Sequence, residues 1–327
     1  MKLRATATSL VFASVIALGA CGDDANLAAK APSTTTLALT SFDTGSLIIP
    51  TDDAHQSNGV LRSFGLVYRL LQNGVPVHWI VDSGKTCTGS GTTIACTADI
   101  TATTQNFNGN GTPTLRTYSA GPFVIDSADA AAALPIITTF RDEDNALGQV
   151  RTVVHAATEP FSAEVARTMQ AAPRIAVFID GNETIAFNYL DSARIPQSDG
   201  TAWPTTNCGG TPDACAGSPD ILADTQIAGA TQGSGHDGVL LDAAGHPQFC
   251  QLTSMHYDPI GGNGSAARLQ HEVVREVRQW LTSAKTTHAF MECAATATFE
   301  NDANGHFLTT NGVTNDNLFE TLSEEIE

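Results

Sequence analysis

The stretch LIIPTDDAHQSNGVLRSFGLVYRLLQNGVPVHWIV (residues 47–81) sets the fold class that this chain is expected to adopt. Ser46-Leu-Ile-Ile-Pro is a short apolar run of the kind a buried strand shows. After a polar loop, Val60, Leu61, Phe64, Leu66, Val67, Leu70 and Leu71 recur at helical spacing, and Asn73-Gly74 ends the pattern. Val75 to Val81 is extended and apolar again. Strand, helix and strand in so short a space make a βαβ unit, whose two strands run parallel.

The alternation continues outward. Phe123-Val-Ile reads as a strand, Ser127 to Leu134 as a helix, Val150 to His155 as a strand and Ser162 to Gln170 as a helix. Strands are expected at 174–179, 238–241 and 248–255, and helices at 184–192 and 266–283. In the last of these helices Leu269, Val273, Val274, Val277, Trp280 and Leu281 form one apolar stripe. His288-Ala-Phe-Met is then a strand and Ala294 begins a helix. The expected architecture is an α/β domain over residues 45–327, with a mainly parallel sheet flanked by helices, a flavodoxin-like three-layer sandwich. Polar, glycine-rich segments predict loop insertions near 83–118 and 193–235.

Phe42-Asp-Thr-Gly and Asp82-Ser-Gly invite a different reading, the paired aspartates of pepsin-like proteases. In those enzymes each aspartate belongs to its own all-β lobe. Here Asp43 precedes one strand of the βαβ unit and Asp82 follows the other, so parallel strands hold them at opposite ends. They cannot share a proton.

The chain has 327 residues, 42% of them hydrophobic and 15% charged, enough to build a sizeable core. A net charge of −18 with only 16 Lys and Arg argues against nucleic acid as a partner. Met1-Lys-Leu-Arg, an apolar run and Leu18-Gly19-Ala20-Cys21 resemble a bacterial lipoprotein leader spanning residues 1–20, which implies lipidation of Cys21. Residues 21–44 read as a flexible tether. The expectation is a cell-envelope protein held to the outer membrane or cell surface through a lipid, its ligand a small molecule or peptide. Cys87 and Cys96 flank a hairpin-like TGSGTTIA, and Cys208 and Cys215 flank GGTPDA, so each pair is expected to form a disulfide. Cys250 and Cys293 could form a third bridge, or Cys293 could be a free nucleophile.

In parallel α/β sheets, functional groups gather at the carboxyl ends of the strands. Asp52 and Asp53 follow the first strand, His256 and Tyr257 follow FCQLTSM, and Glu292 with Cys293 ends HAFM where a helix begins. His256 and Cys293 in that order can make a Cys/His dyad, the imidazole taking the thiol proton before attack on a carbonyl. The expected roles are Cys293 as nucleophile, His256 as base and Glu292 as supporting carboxylate in amide or peptide hydrolysis, with Asp52, Asp53 and Tyr257 binding the ligand. The competing expectation is a non-catalytic binding module with a Cys250–Cys293 disulfide. No metal or cofactor motif is complete: GATQGSGHDG at 229–238 lacks the lysine ending of a phosphate loop, and His271-Glu-Val-Val-Arg lacks the second His of a zinc helix.

The segment FMECAATATFEN resembles the strand-to-nucleophile turn of class I glutamine amidotransferase-like domains, and residues 47–81 are similar to the opening unit of secreted bacterial proteins related to them. That resemblance implies a flavodoxin-like fold and a thiol nucleophile at Cys293. It departs from the family pattern where glycines normally flank the cysteine, since Glu292 and Ala294 stand there, and no later His-x-Glu follows.

Overall fold

The computed structural model describes residues 39–57, 60–88, 95–208, 215, 217–230, 237–257, 265–283 and 287–307. Its first part runs β1 (Leu39–Phe42), β2 (Leu47–Ile49), α1 (Asp53–Gln56), α2 (Val60–Gln72), β3 (Val77–Ile80), β4 (Cys87–Thr88) and β5 (Ala95–Cys96). It continues with β6 (Ile100–Asn106), β7 (Thr114–Tyr118), β8 (Phe123–Ile125), α3 (Ser127–Ala146), β9 (His155–Ala157) and β10 (Phe161–Met169). The second part runs β11 (Ile175–Phe178), α4 (Glu183–Ala193), β12 (Ile221–Leu222), α5 (Asp224–Ala228), β13 (Gln251–Ser254), α6 (Ser265–Ser283), β14 (His288–Met291) and α7 (Ala294–Asn301).

The helix α2 spans the residues its periodicity predicts, and β2 and β3 flank it. They are not neighbours. β8 lies between them, antiparallel to both, with Val124 opposite Ile48 on one side and His78 on the other. The crossover therefore keeps β2 and β3 parallel while a later strand separates them. The whole sheet follows the order β1-β10-β3-β8-β2-β9-β6-β7, and every adjacent pair is antiparallel. This overturns the mainly parallel, flavodoxin-like sandwich: the larger sheet is antiparallel. It is also curled, since Phe42, Ile80, Ile100, Tyr118, Val124 and Phe161, from strands across its width, meet in one core on one face. On the opposite face Leu47, Ile49, Val77, Phe123 and Ile125 pack against Leu66, Leu70, Ile137 and Phe140 of α2 and α3. Each such side chain contributes about 1.5–3 kcal/mol by leaving water.

Two local expectations fail for related reasons. Residues 162–170, expected as a helix, form β10, in which buried Phe161 and Ala163 alternate with exposed Ser162 and half-buried Glu164 at period two. Residues 83–118, expected as a loop insertion, carry the β4/β5 hairpin and the β6/β7 pair at the edge of the large sheet. Short polar strands rich in Thr and Asn give no apolar signal when their outer face is wet.

The parallel character survives in the smaller sheet, ordered β12-β11-β13-β14 with all strands in one direction. Residues 238–241, expected as a strand, form a turn whose one bridge joins Leu241 to Pro247. The apolar stripe of α6 is buried as expected, Val273, Val274, Val277 and Trp280 being wholly inaccessible, and the Trp280 indole donates to the Phe249 carbonyl at 2.9 Å. Disulfides join Cys87 to Cys96 and Cys208 to Cys215. These bridges fit an oxidising, extracytoplasmic compartment. Among the described residues no helix is long and apolar enough to cross a membrane. The leader and Cys21 lie outside the described residues.

Candidate functional site

In the small sheet the chain starts at β11, moves to one side for β12 and then to the other for β13, so the strand order reverses at β11/β13. Loops leave in opposite directions at such a point and open a crevice at the carboxyl edge. Asp180, two residues past β11, occupies it. Its Oδ2 accepts from Ser254 Oγ at 3.0 Å, the Met255 N–H at 2.6 Å and the His256 N–H at 2.7 Å, while Oδ1 accepts the Asn182 N–H at 3.0 Å. One carboxylate thus fixes how the chain leaves β13. Buried Glu183 fixes the loop from β11 to α4 in the same way, accepting the Gly181 N–H at 2.7 Å and the Cys208 N–H.

The neighbouring strand end holds Cys293. β13 and β14 pair in parallel with Ser254 opposite Met291, and the ladder extends one step through the Glu292 N–H to the Ser254 carbonyl at 3.0 Å. His256 and Cys293 each lie two residues beyond that register pair, on chains about 4.8 Å apart where the ladder holds. Cys293 has φ 51° and ψ −129°, a region that non-glycine residues occupy at a cost of about 1–3 kcal/mol. The strain turns the chain sharply from strand into α7 and leaves the thiol free and exposed at the helix N-terminus. Ala294 is the first helical residue, so its N–H has no intrahelical acceptor. Ala295, whose small side chain is fully buried, lets α7 start close against the sheet.

The expected site residues separate into two groups. His256, Glu292 and Cys293 share the carboxyl edge of β13 and β14; His256 is half-buried, Glu292 is exposed, and no hydrogen bond joins imidazole to thiol. Tyr257 is a core residue: it is buried with its ring 4.4 Å from that of Phe178 and 6.0 Å from that of Phe299, and burial pushes its hydroxyl far above its ordinary range. Asp52 and Asp53 belong to the other sheet. Asp52 caps α1, its Oδ1 accepting the His55 N–H at 3.1 Å and lying 2.6 Å from His55 Nδ1, while its Oδ2 accepts the Ser119 N–H at 3.1 Å. Asp53 is exposed. A single rim uniting Asp52 with Cys293 would have needed the one parallel sheet that the antiparallel strands replace.

Cys293 is a free thiol, so the Cys250–Cys293 bridge of the competing expectation is not formed. Asp180 was missed in the sequence; a carboxylate directly after the apolar run at 175–179 was the available signal. Among the described residues no group of three or more His, Cys, Asp or Glu is placed to hold a metal ion. Comparison with protein-family models, curated proteins and solved structures finds no match to this chain.

Proposed function

We propose that this is a cell-envelope protein, lipid-anchored through Cys21, in which Cys293 is the nucleophile of a thiol-dependent amide or peptide hydrolase and His256 is its base. The observation that carries the reading is Cys293 itself: a free, exposed thiol on a strained strand-to-helix turn, two residues past the end of β14, with a histidine two residues past the end of the adjacent parallel strand β13. Strain persists where surrounding structure over-determines it, and a strand-to-helix turn of this kind lifts a nucleophile clear of the sheet.

In this reading His256 takes the thiol proton, and the thiolate sulfur attacks the carbonyl carbon. The oxyanion meets the Ala294 N–H, aided by the positive end of α7. The amine leaves with the proton carried by His256, and water, deprotonated by the same imidazole, releases the acid from the thioester. Asp180 positions the base through the backbone, since its carboxylate holds the His256 N–H.

p-Nitrophenyl acetate provides a test that requires no knowledge of the substrate. A burst of nitrophenolate and an acetyl adduct on Cys293 are expected, absent in Cys293→Ala and slowed at least about 100-fold in His256→Gln, the lower end of a general base's worth. An adduct that forms at the same rate in the His256→Gln variant, or no faster than in the heat-unfolded chain, would sink the dyad. The anchor is checked separately: palmitate labelling of the full chain in a bacterial host should disappear in Cys21→Ala, and equal labelling of both proteins would refute it.

A further inference from the structure

A cleft of about 540 Å³ lies on the large sheet, between the first turns of α3 and the helix-facing side of β2, β9 and β6. Its origin is readable in the register. Leu47 and Gln105 both stand opposite Ala156, so these three side chains form one row toward the helix. α3 meets that row with Ser127 and Ala130, whose small side chains leave the space unfilled before Leu134 closes it one turn on. Gly45 (φ 95°) and Gly109 (φ 77°) form part of the walls in left-handed conformations that other residues adopt only with strain. The volume lies within the ordinary range for small-molecule sites.

The lining contains no titratable side chain. Its polar groups are the hydroxyls of Thr44, Ser127 and Thr158 and the amides of Gln105 and Asn108, set around an apolar floor that includes Phe107. Among the described residues the Gln105 amide and the Thr44 hydroxyl have no partner inside the protein. Asn108 accepts the Asn110 N–H at 3.2 Å through Oδ1, which leaves its amide hydrogens to donate; Thr158 donates to the Thr103 carbonyl at 3.0 Å, which leaves its oxygen to accept. Amides and hydroxyls both donate and accept, and so match a ligand whose groups do the same. An anion would find no cation in the lining and a chain of net charge −18 around it. A cation would find no carboxylate there.

From this we infer that the cleft binds a neutral saccharide, its hydroxyls on the amide and hydroxyl rim and an apolar ring face against Phe107. The site is built from the large sheet and does not depend on the chemistry of Cys293. The test is ligand-observed saturation transfer on the full chain with N,N′-diacetylchitobiose and maltose as probes at millimolar concentration. Transfer to the ring protons of at least one sugar is expected. Gln105→Leu should weaken it about tenfold, the loss of roughly one well-made hydrogen bond, and Ala130→Trp should abolish it by filling the space. Because the tryptophan could also disturb packing, its melting temperature is measured, and the half-buried Gln105→Leu site provides the independent check. No transfer from either sugar, transfer undiminished in a folded Ala130→Trp or in Gln105→Leu, or galacturonate binding as well as the neutral sugars would each overturn the inference.

Discussion

Tyr118 is fully buried, with its hydroxyl 2.9 Å from both His155 Nδ1 and Thr104 Oγ1. Its ring stacks on that of His55 at 4.8 Å, and His55 in turn is held by Asp52. His155 stays neutral: burial depresses its pKa to about 4, Arg116, His55 and Arg141 add to the effect, and Asp52 opposes it. The folded state therefore resists a proton that the unfolded chain accepts near pH 6.5. A depressed folded-state pKa contributes stability that is complete above the unfolded value and is lost as pH falls through the folded one. Between pH 6.5 and about 4 this residue alone should remove about 2–3 kcal/mol. His155→Gln loses the Tyr118 contact but carries no titration. Thermal melts across that range should show wild type ahead at pH 7 and the gap closing on acidification; a gap constant with pH would mean that His155 does not titrate in the way its burial implies. The tyrosine hydroxyl, pushed up to about 12 by burial, plays no part in this window.

At the scale of elements, what the sequence disclosed depended on how strongly each segment's burial is patterned. α2 and α6 bury one clear stripe, and both were legible to within a residue of their ends. β11 was legible because a parallel strand buried on both faces shows a continuous apolar run, while β13 (QLTS) and the half-exposed edge strand β14 (HAFM) were legible from the short runs that contain them on either side of the α6 stripe. β6 and β7 were not, because alternate residues such as Thr101, Thr103 and Thr117 lie at the surface or only half-buried, and a half-wet antiparallel strand of threonines looks like a loop. Pairing order was the largest failure. A crossover helix fixes the relative direction of two strands, but adjacency depends on which later segment can insert, and Phe123-Val-Ile is too short to announce that it does. The candidate thiol site was legible because it belongs to the parallel sheet, where strand end and helix start are both visible around Cys293. The saccharide cleft was not, since it arises from alanines that leave space and not from residues that fill it.

The two sheets meet through helices, and this contact governs the molecule as a whole. A Cβ on Gly65 of α2 would come within 1.5 Å of the Ala193 carbonyl at the end of α4, so the helices touch at backbone distance and only glycine fits. One residue further, Arg194 reaches into the first unit. It donates to the Phe140 carbonyl at 3.0 Å and to Asp144 Oδ1 at 2.9 Å, pairs with Glu143, and places its guanidinium 4.3 Å over the Phe140 ring. Asp144 is fully buried, its other oxygen accepting the Thr152 N–H and hydroxyl at 2.9 Å each, with Arg62 Nε only within 4.0 Å of Oδ1. Removing the arginine leaves a buried carboxylate without its main counter-charge, a loss that outweighs the modest value of the pair itself. Arg194→Met, which retains an apolar stem over Phe140, should therefore cost about 3 kcal/mol in urea denaturation. Most of that loss reflects the stranded charge. If so, Asp144→Asn in the Arg194→Met background should recover part of it, giving the two sites a coupling energy of about 1 kcal/mol or more. Strictly additive effects would show instead that the sheets are held by helix packing alone and that the ion pair is incidental.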